Sequence, residues 1–253
     1  MNSSAYISIN SLMIASLLIL VSLFFSYYQK LHLEKETIIG VIRAVIQLTI
    51  VGYLLNIIFG LENPMFTTLL LLFMTINASY NAAKRGKNIK NGFMISFISI
   101  SIGTFVTLGI LVAARAIKYV PNQIIPVGGM IISNSMIAIG LCYKQMISNF
   151  KLKREEVESK LSLGADISTA SIEIIRDAIK TGMIPTIDST KTLGIVALPG
   201  MMTGLILAGT APLEAIKFQI MVTFMMLSTT SITSFMCCYM AYKGFFNERK
   251  QLI

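Results

Sequence analysis

The chain has 253 residues, 55% of them hydrophobic and 13% charged, with a net charge of +9 and a mean hydropathy of +0.73. Such values lie far outside the range of an ordinary soluble domain. A bilayer core of about 30 Å takes about 20 apolar residues per helical span, so this length holds several spans and leaves little room for a separate soluble domain.

In chain order, long apolar runs predict spans near residues 5 to 28, 38 to 59, 64 to 81, 93 to 114, 120 to 142, 186 to 208 and 215 to 240. The expected fold is all-α: a polytopic membrane protein with about seven transmembrane helices, forming one domain over residues 1 to 253. Residues 1 to 28 lack a positive n-region and an obvious small-residue cleavage site, and they read as a retained helix. Only Gly60, Leu61, Glu62 and Asn63 separate the second and third spans, which predicts a tight hairpin with Asn63 and Pro64 in the turn.

Of the 21 Lys and Arg, only Arg115, Lys118 and Lys217 fall on one side, with Arg43 inside a span, and the rest lie on the other. Lys- and Arg-rich short loops stay in the cytoplasm, so the N-terminus is expected outside and the C-terminus inside the cytoplasmic (inner) membrane. The positive charge then reports topology and contact with anionic inner-leaflet lipid, and no nucleic-acid partner is expected. Cys142, Cys237 and Cys238 fall near cytoplasmic helix ends and imply no disulfide framework. The adjacent pair has thiolate chemistry for a soft metal, but neighbours on a helix point about 100° apart, so the expectation is small buried hydrophobes, with the metal ligands, if any, unknown from sequence.

Residues 143 to 185 form the one long connection, inside, with most of the dense charge. Two short amphipathic helices are expected there: one over roughly 152 to 163 with Val157 and Leu161 on one face, then, past the breaker Gly164, one capped by Asp166 or Ser168. Ile172, Ile175, Ile179 and Met183 recur at helical spacing in the second, with Glu173, Arg176, Asp177 and Lys180 facing elsewhere. Lipid, the protein's own helix ends, or a cytoplasmic subunit would each cover these faces.

Polar residues inside spans are costly enough to be functional candidates. Arg43 and Gln47 share a face of the second span, and Asp188 lies at similar shallow depth in the sixth. Arg43 and Asp188 either pair near the cytoplasmic mouth or snorkel separately to the interface. In "PVGGMIISNSM" (126 to 136), Ser133 and Asn134 with freed carbonyls line a pathway, or else the small residues serve close helix packing. Met130, Met136, Met201 and Met202 suggest either a soft-metal conduit or adaptable core filling. In the sixth span Pro199 predicts a mid-membrane kink, and Gly200, Gly204 and Ala208 a contact stripe, together a candidate gate.

Several chemistries lack parts. No phosphate-binding G-x-x-x-x-G-K-[ST] run is present, the only histidine, His32, lies in a loop, and no paired carboxylates sit within a span. The chain is therefore not expected to be an enzyme that hydrolyses ATP; a membrane enzyme built on Asp188 and Lys191 is a trailing alternative.

The stretches "GVIRAVIQLTIVGYLLNIIF" (40 to 59), "NSM" (134 to 136), "KLSLGA" (160 to 165), "IRDAIKTGMIPTIDSTKTLGIVALPGMMTGLILAG" (175 to 209) and "AIKFQIMVTFMMLSTTS" (215 to 231) closely resemble the FetB-type permease family. This family is the membrane half of bacterial ABC iron exporters and is related to plant aluminium-tolerance permeases. The resemblance covers essentially everything from about residue 30 onward and implies a permease that exports iron, aids resistance to oxidative stress and works with a separate cytoplasmic ATPase. It also implies that residues 143 to 185 are a coupling-helix loop, in which Leu161, Leu163, Gly164, Ala165 and Arg176 meet the ATPase. A homodimer with two ATPases is then expected, with ATP and Mg bound by the partner subunit and no cofactor held by this chain.

Ferrous iron prefers imidazole and carboxylate ligands, which the spans do not offer. Three classes therefore stand: an ABC exporter of iron, or of a chelated metal, thiol conjugate or nucleotide sugar; an ATP-independent secondary transporter or channel; and a membrane enzyme or scaffold. Proton-coupled transporters usually carry titratable groups deep in the membrane, which argues against the second class.

Overall fold

A computed structural model describes residues 8–61, 63–87 and 89–252. In these residues the chain forms α1 (Ile9–Ser16), α2 (Leu18–Tyr28), α3 (Glu34–Leu61), α4 (Pro64–Arg85), α5 (Gly92–Ala113), α6 (Pro121–Leu152), α7 (Arg154–Ser162), α8 (Ile167–Thr192), α9 (Gly200–Leu207) and α10 (Pro212–Ala241), the last closing in a 3-10 turn over Tyr242–Phe245. Five segments are long and apolar enough to cross a membrane: Asn10–Tyr28, Glu34–Asn56, Gly92–Ala113, Pro121–Leu152 and Pro212–Phe245. The all-α polytopic fold thus holds without reproducing the count of seven, since α4 and α8 have 22 and 26 residues yet are not among the five. The beginning of the first expected span, residues 5–7, and Glu62 of the expected turn lie outside the described residues.

The long α6 is the centre of the bundle and packs against α4, α5, α8 and α10. Small residues let backbones approach closely where no hydrophobic force drives helices together. Gly128 of α6 lies directly on Leu71 of α4, where a Cβ would have no room, and Gly129 faces the Met74 methyl at 3.0 Å from the same notional atom. For these two glycines the packing reading of residues 126 to 136 is the one realised. Between α5 and α10, a Cβ at Gly103 would meet the Thr233 methyl at 2.6 Å, and the Thr107 and Thr229 hydroxyls share a hydrogen bond of 2.8 Å. Tyr143 of α6 reaches α5 through the Ser96 hydroxyl at 3.0 Å and the Gly92 carbonyl, to which it donates at 3.2 Å.

Several other buried hydroxyls turn back on their own helix, while those of Ser99, Thr104, Ser171 and Ser234 have no partner among the described residues. Thr75, Ser79, Ser96, Ser135 and Thr233 each donate to the carbonyl four residues earlier, which satisfies them without water.

The first three helices differ. None of the α3 window is buried, and only 6% of that in α1 and α2, against 56% for α6. Asn63 does cap α4, accepting the Met65 amide at 2.9 Å, with Pro64 in the first helical turn. Among the described residues α3 and α4 share no extended packing, so the expected tight hairpin is not seen in them. The sequence of α3 is apolar around the circumference, with Ile39, Ile46, Leu48, Val51 and Tyr53 all exposed, so no face is marked for a protein neighbour.

Two further expectations are corrected. In residues 143 to 185 the first expected short helix is present as α7 and the second starts at the Asp166 cap, but α6 itself continues to Leu152 and the second helix is long, running unbroken through Pro185 to Thr192. At 1.5 Å per residue the 32 residues of α6 span roughly 48 Å, well beyond a bilayer core. The buried face of α8 (Ala170, Ser171, Ile174, Ile175, Ala178, Gly182) lies against α6 and α10. The sixth span, expected over 186 to 208, is not one kinked helix. The chain leaves α8 after Thr192, where Leu193 is extended and Gly194 takes φ +79°, and re-enters helix only at Gly200, since Pro199 disfavours helical geometry at Leu198.

These contacts separate two kinds of glycine. Gly103→Ala should destabilise the bundle by about 1 to 3 kcal/mol through overpacking, whereas Gly204→Ala, with nothing within 4 Å of the added methyl, should leave it unchanged. Thermal unfolding of the purified protein in detergent checks both.

Candidate functional site

The break between α8 and α9 is held by backbone and hydroxyl hydrogen bonds. The Thr192 carbonyl accepts the Val196 amide at 3.0 Å and the Gly194 amide donates to Ala197 at 3.0 Å. Thr190 and Thr192 hydroxyls donate to Thr186 and Asp188 carbonyls at 2.8 and 3.2 Å, and the Pro199 carbonyl accepts both the amide and the hydroxyl of Thr203. Irregular backbone at membrane depth is tolerated where it lines a cavity or is covered by protein.

A cavity of about 190 Å³ lies at this break. The end of α8 contributes Thr186, Ser189 and Thr190; the break and the start of α9 contribute Leu193, Pro199, Gly200 and Met201; α6 contributes Met130. From α10 come Gln219, Val222, Thr223 and Met226. The lining therefore offers hydroxyls, one amide and three thioethers, and no charge. Thr186 shares a hydrogen bond with Thr230 of α10 at 3.3 Å, while the Oε1 of Gln219 is buried without a partner. A neutral set of oxygen and thioether donors holds a cation weakly and briefly, since nothing offsets its charge.

Of the expected pathway and gate residues, the fold brings together Met130, Met201, Pro199 and Gly200. Met202 is half-buried beside them and does not line the cavity. Asn134 donates to the Met130 carbonyl at 2.9 Å, Ser133 is exposed, and Met136 packs against the bundle core. Gly204 and Ala208 face open space, so the small-residue stripe meets no helix within the chain. Arg43 and Gln47 are exposed on α3. Asp188 pairs with Lys191 at 3.1 Å and not with Arg43, and both members of that pair are exposed. Sequence reasoning did not single out Thr186, Thr190, Gln219 and Thr223, although each pair repeats at a spacing of four and Gln219 is an amide inside an apolar run.

The other end of α8, roughly 39 Å away along its axis, carries the expected coupling segment. Gly164 adopts φ +92°, and the Gly164 and Ala165 amides close the end of α7 on the Leu161 and Lys160 carbonyls at 3.0 Å each. This turn leaves Leu163 89% exposed, an unusual position for a leucine, while Leu161 tucks against the core. Arg176 is exposed on α8. Lys160 bridges Glu156 at 2.6 Å and Glu173 of α8 at 3.7 Å, and Lys153 reaches Asp177 at 3.8 Å, so α7 and the end of α6 are tied to α8. The hydrogen bond from Lys160 holds the Glu156 carboxyl below its usual range and raises Lys160.

Asp166 caps α8 by accepting the Thr169 amide at 3.1 Å and the Ser168 hydroxyl at 2.9 Å. Hydrogen bonding from Thr169, then Ser168, lowers its pKa to about 2. A depressed carboxyl stabilises the fold above its unfolded pKa and loses that contribution as pH falls through the folded value. Protection of the Thr169 amide, its exchange measured against the intrinsic rate at the same pH, should therefore fall between about pH 4 and pH 2, and Asp166→Ala should show the low protection already at pH 6.

With this geometry in place, the chain can be set beside known proteins. Residues 9–246 match the model described as "Uncharacterised protein family (UPF0014)". The "Probable iron export permease protein FetB" of Escherichia coli (strain K12) is 46% identical over 99% of this chain and 97% of its own. "UPF0014 membrane protein YjkA" of Bacillus subtilis (strain 168) is 38% identical, covering 96% and 97%. "Protein ALUMINUM SENSITIVE 3" of Arabidopsis thaliana is 36% identical, covering 94% of this chain and 87% of that protein. No solved structure matches.

Proposed function

Because this chain belongs to the UPF0014 membrane-protein family, we propose that it is the membrane-spanning permease of an ABC transporter that exports iron across the cytoplasmic membrane, driven by a separate ATPase subunit. The carrying observation is that one continuous helix, α8, starts at the exposed Leu163 turn and ends at the uncharged cavity of the broken span. A push at the turn is thereby delivered to the cavity wall, with Lys160 and Lys153 keeping α7 and α6 in step. Leu161, Leu163, Gly164, Ala165 and Arg176 form the surface that the ATPase engages; ATP and Mg belong to that partner.

The size of the cavity supports a metal ion as the cargo. A water takes about 30 Å³ and drug-sized ligands occupy pockets of about 300 to 1,000 Å³. A cavity of about 190 Å³ accommodates a partly hydrated ion and is too small for a nucleotide sugar or thiol conjugate without opening. Ferrous iron there meets the thioethers of Met130, Met201 and Met226 and the oxygens of Thr190, Gln219 and Thr223, a weak set that suits release. The printed name of the Escherichia coli relative supports iron as the substrate. A proton-coupled secondary transporter is disfavoured, since no titratable group lines the cavity. The exposed apolar α1 to α3 are available to lipid and to a second copy of the chain, giving a dimer with two ATPases; the terminal orientation, N-terminus outside and C-terminus inside, follows from the Lys and Arg distribution, and export of iron links the protein to oxidative-stress resistance.

Co-reconstitution with a candidate ABC ATPase subunit from the same genome tests the proposal. Ferrous iron should stimulate ATP hydrolysis and leave loaded vesicles, and Leu163→Asp should cut stimulation by at least tenfold while the permease still folds. Met130→Ala with Gln219→Ala should reduce iron flux and spare the physical association. If no ATPase co-purifies, or if iron changes neither hydrolysis nor flux, the proposal fails.

A further inference from the structure

We infer that Cys142, Cys237 and Cys238 form a buried binding site for one thiophilic divalent metal ion of the zinc class, separate from the transport cavity. The three Sγ atoms lie within 4.8 Å of one another, and Cys237 and Cys238 are 3.9 Å apart. A metal with bonds of about 2.3 Å to sulfur holds its thiolates roughly 4 Å apart, so the sulfurs already stand at ligand spacing. Cys142 comes from α6 and the other two from α10, and all three are fully buried.

A cluster of small apolar thiols would explain the burial but not the polar group beside it. The Ser234 hydroxyl is fully buried and has no hydrogen-bond partner, although its neighbours Thr229, Thr230 and Thr233 all bond the carbonyl four residues back. The Ser234 Oγ and the Cys142 Sγ both crowd the position where Gly182 of α8 lacks a side chain. The Ser234 oxygen thus lies beside the Cys142 member of the sulfur cluster, where it can supply a fourth ligand or a hydrogen-bond donor to a thiolate. The absence of a side chain at Gly182 lets the Cys142 sulfur and the Ser234 oxygen sit against α8.

Binding breaks three S–H bonds, forms three metal–sulfur bonds and releases three protons to solvent, with no redox change. A divalent ion leaves one net negative charge, a monovalent one two, and burial penalises the second more heavily. Imidazole and carboxylate are missing from the cluster, and soft thiolates select zinc-like ions over magnesium or calcium. The site lies about 17 Å along α6 and α10 from Met130 and Met226, so it is distinct from the cavity and does not depend on what the cavity carries. An ion there ties α6 to α10 where α8 crosses them, and α8 must lift at Gly182 to admit it.

The test uses the full chain purified in detergent under reducing conditions and incubated with Co(II), whose thiolate complexes absorb in the near ultraviolet. One equivalent should bind with a thiolate charge-transfer band, and Zn(II) should displace it. Cys142→Ser and Cys237→Ser should each abolish the band. Gly182→Ala keeps every thiol but places a methyl against the Cys142 sulfur, and should weaken Co(II) at least tenfold with the bundle still folded by thermal unfolding. No band in the wild-type protein, or a band that survives in Cys142→Ser, overturns the inference.

Discussion

Close backbone approach along α6 is the constraint from which the rest of the bundle follows. In lipid the tails are as apolar as the side chains, so helices associate through packing and hydrogen bonds, each of the latter contributing about 0.6 kcal/mol on average. Gly128 seats α4, Cys142 and Ala138 bring Gly182 of α8 into contact, and Tyr143 fixes α5 through Ser96. With four helices bound to one axis, α8 and α10 meet along a shared seam, and Leu193, Pro199 and Gly200 of the break line a cavity with α10 while Ile195, Val196 and Leu198 stay exposed.

The position of the break decides what the molecule can do. A helix that stops inside a bundle leaves backbone to be satisfied, and here the threonines and Pro199 do this locally. The space beside them is polar without charge, so an ion is neither excluded by a like charge nor held by an opposite one. At the opposite end of the same helix the chain exposes Leu163 on a turn that glycine alone adopts without strain. A stiff element with a sticky end and a site end is the mechanical content of the permease reading.

The N-terminal region illustrates a different rule. Helix α3 has more than enough apolar surface to span a membrane, yet its Gly40 and Gly52 face open space and none of its apolar window is buried. Apart from Ile58 near its end it adds nothing to the core within one chain, and Arg43 and Gln47 lie away from the cavity. Asp188, expected either to meet Arg43 or to snorkel, is closed off by Lys191 one helical turn away, the nearer partner.

The sequence by itself determined the membrane class, the helical content, the Asn63 and Asp166 caps, the Gly164 stop and the family, because each depends on local composition, on a short motif or on one residue's backbone preference. Tertiary structure decided the rest. Pro199 announced a disturbance, but whether it kinks a helix or ends one depended on what covered the freed backbone. Met130 and Met201 were visible as candidates, whereas Gln219 and Thr223 became site residues only when α10 was laid across the break. The cysteines show the limit most clearly: a helix turns neighbouring side chains about 100° apart, which spoke against a cluster, and only the packing of α6 on α10 placed a third sulfur within reach of both.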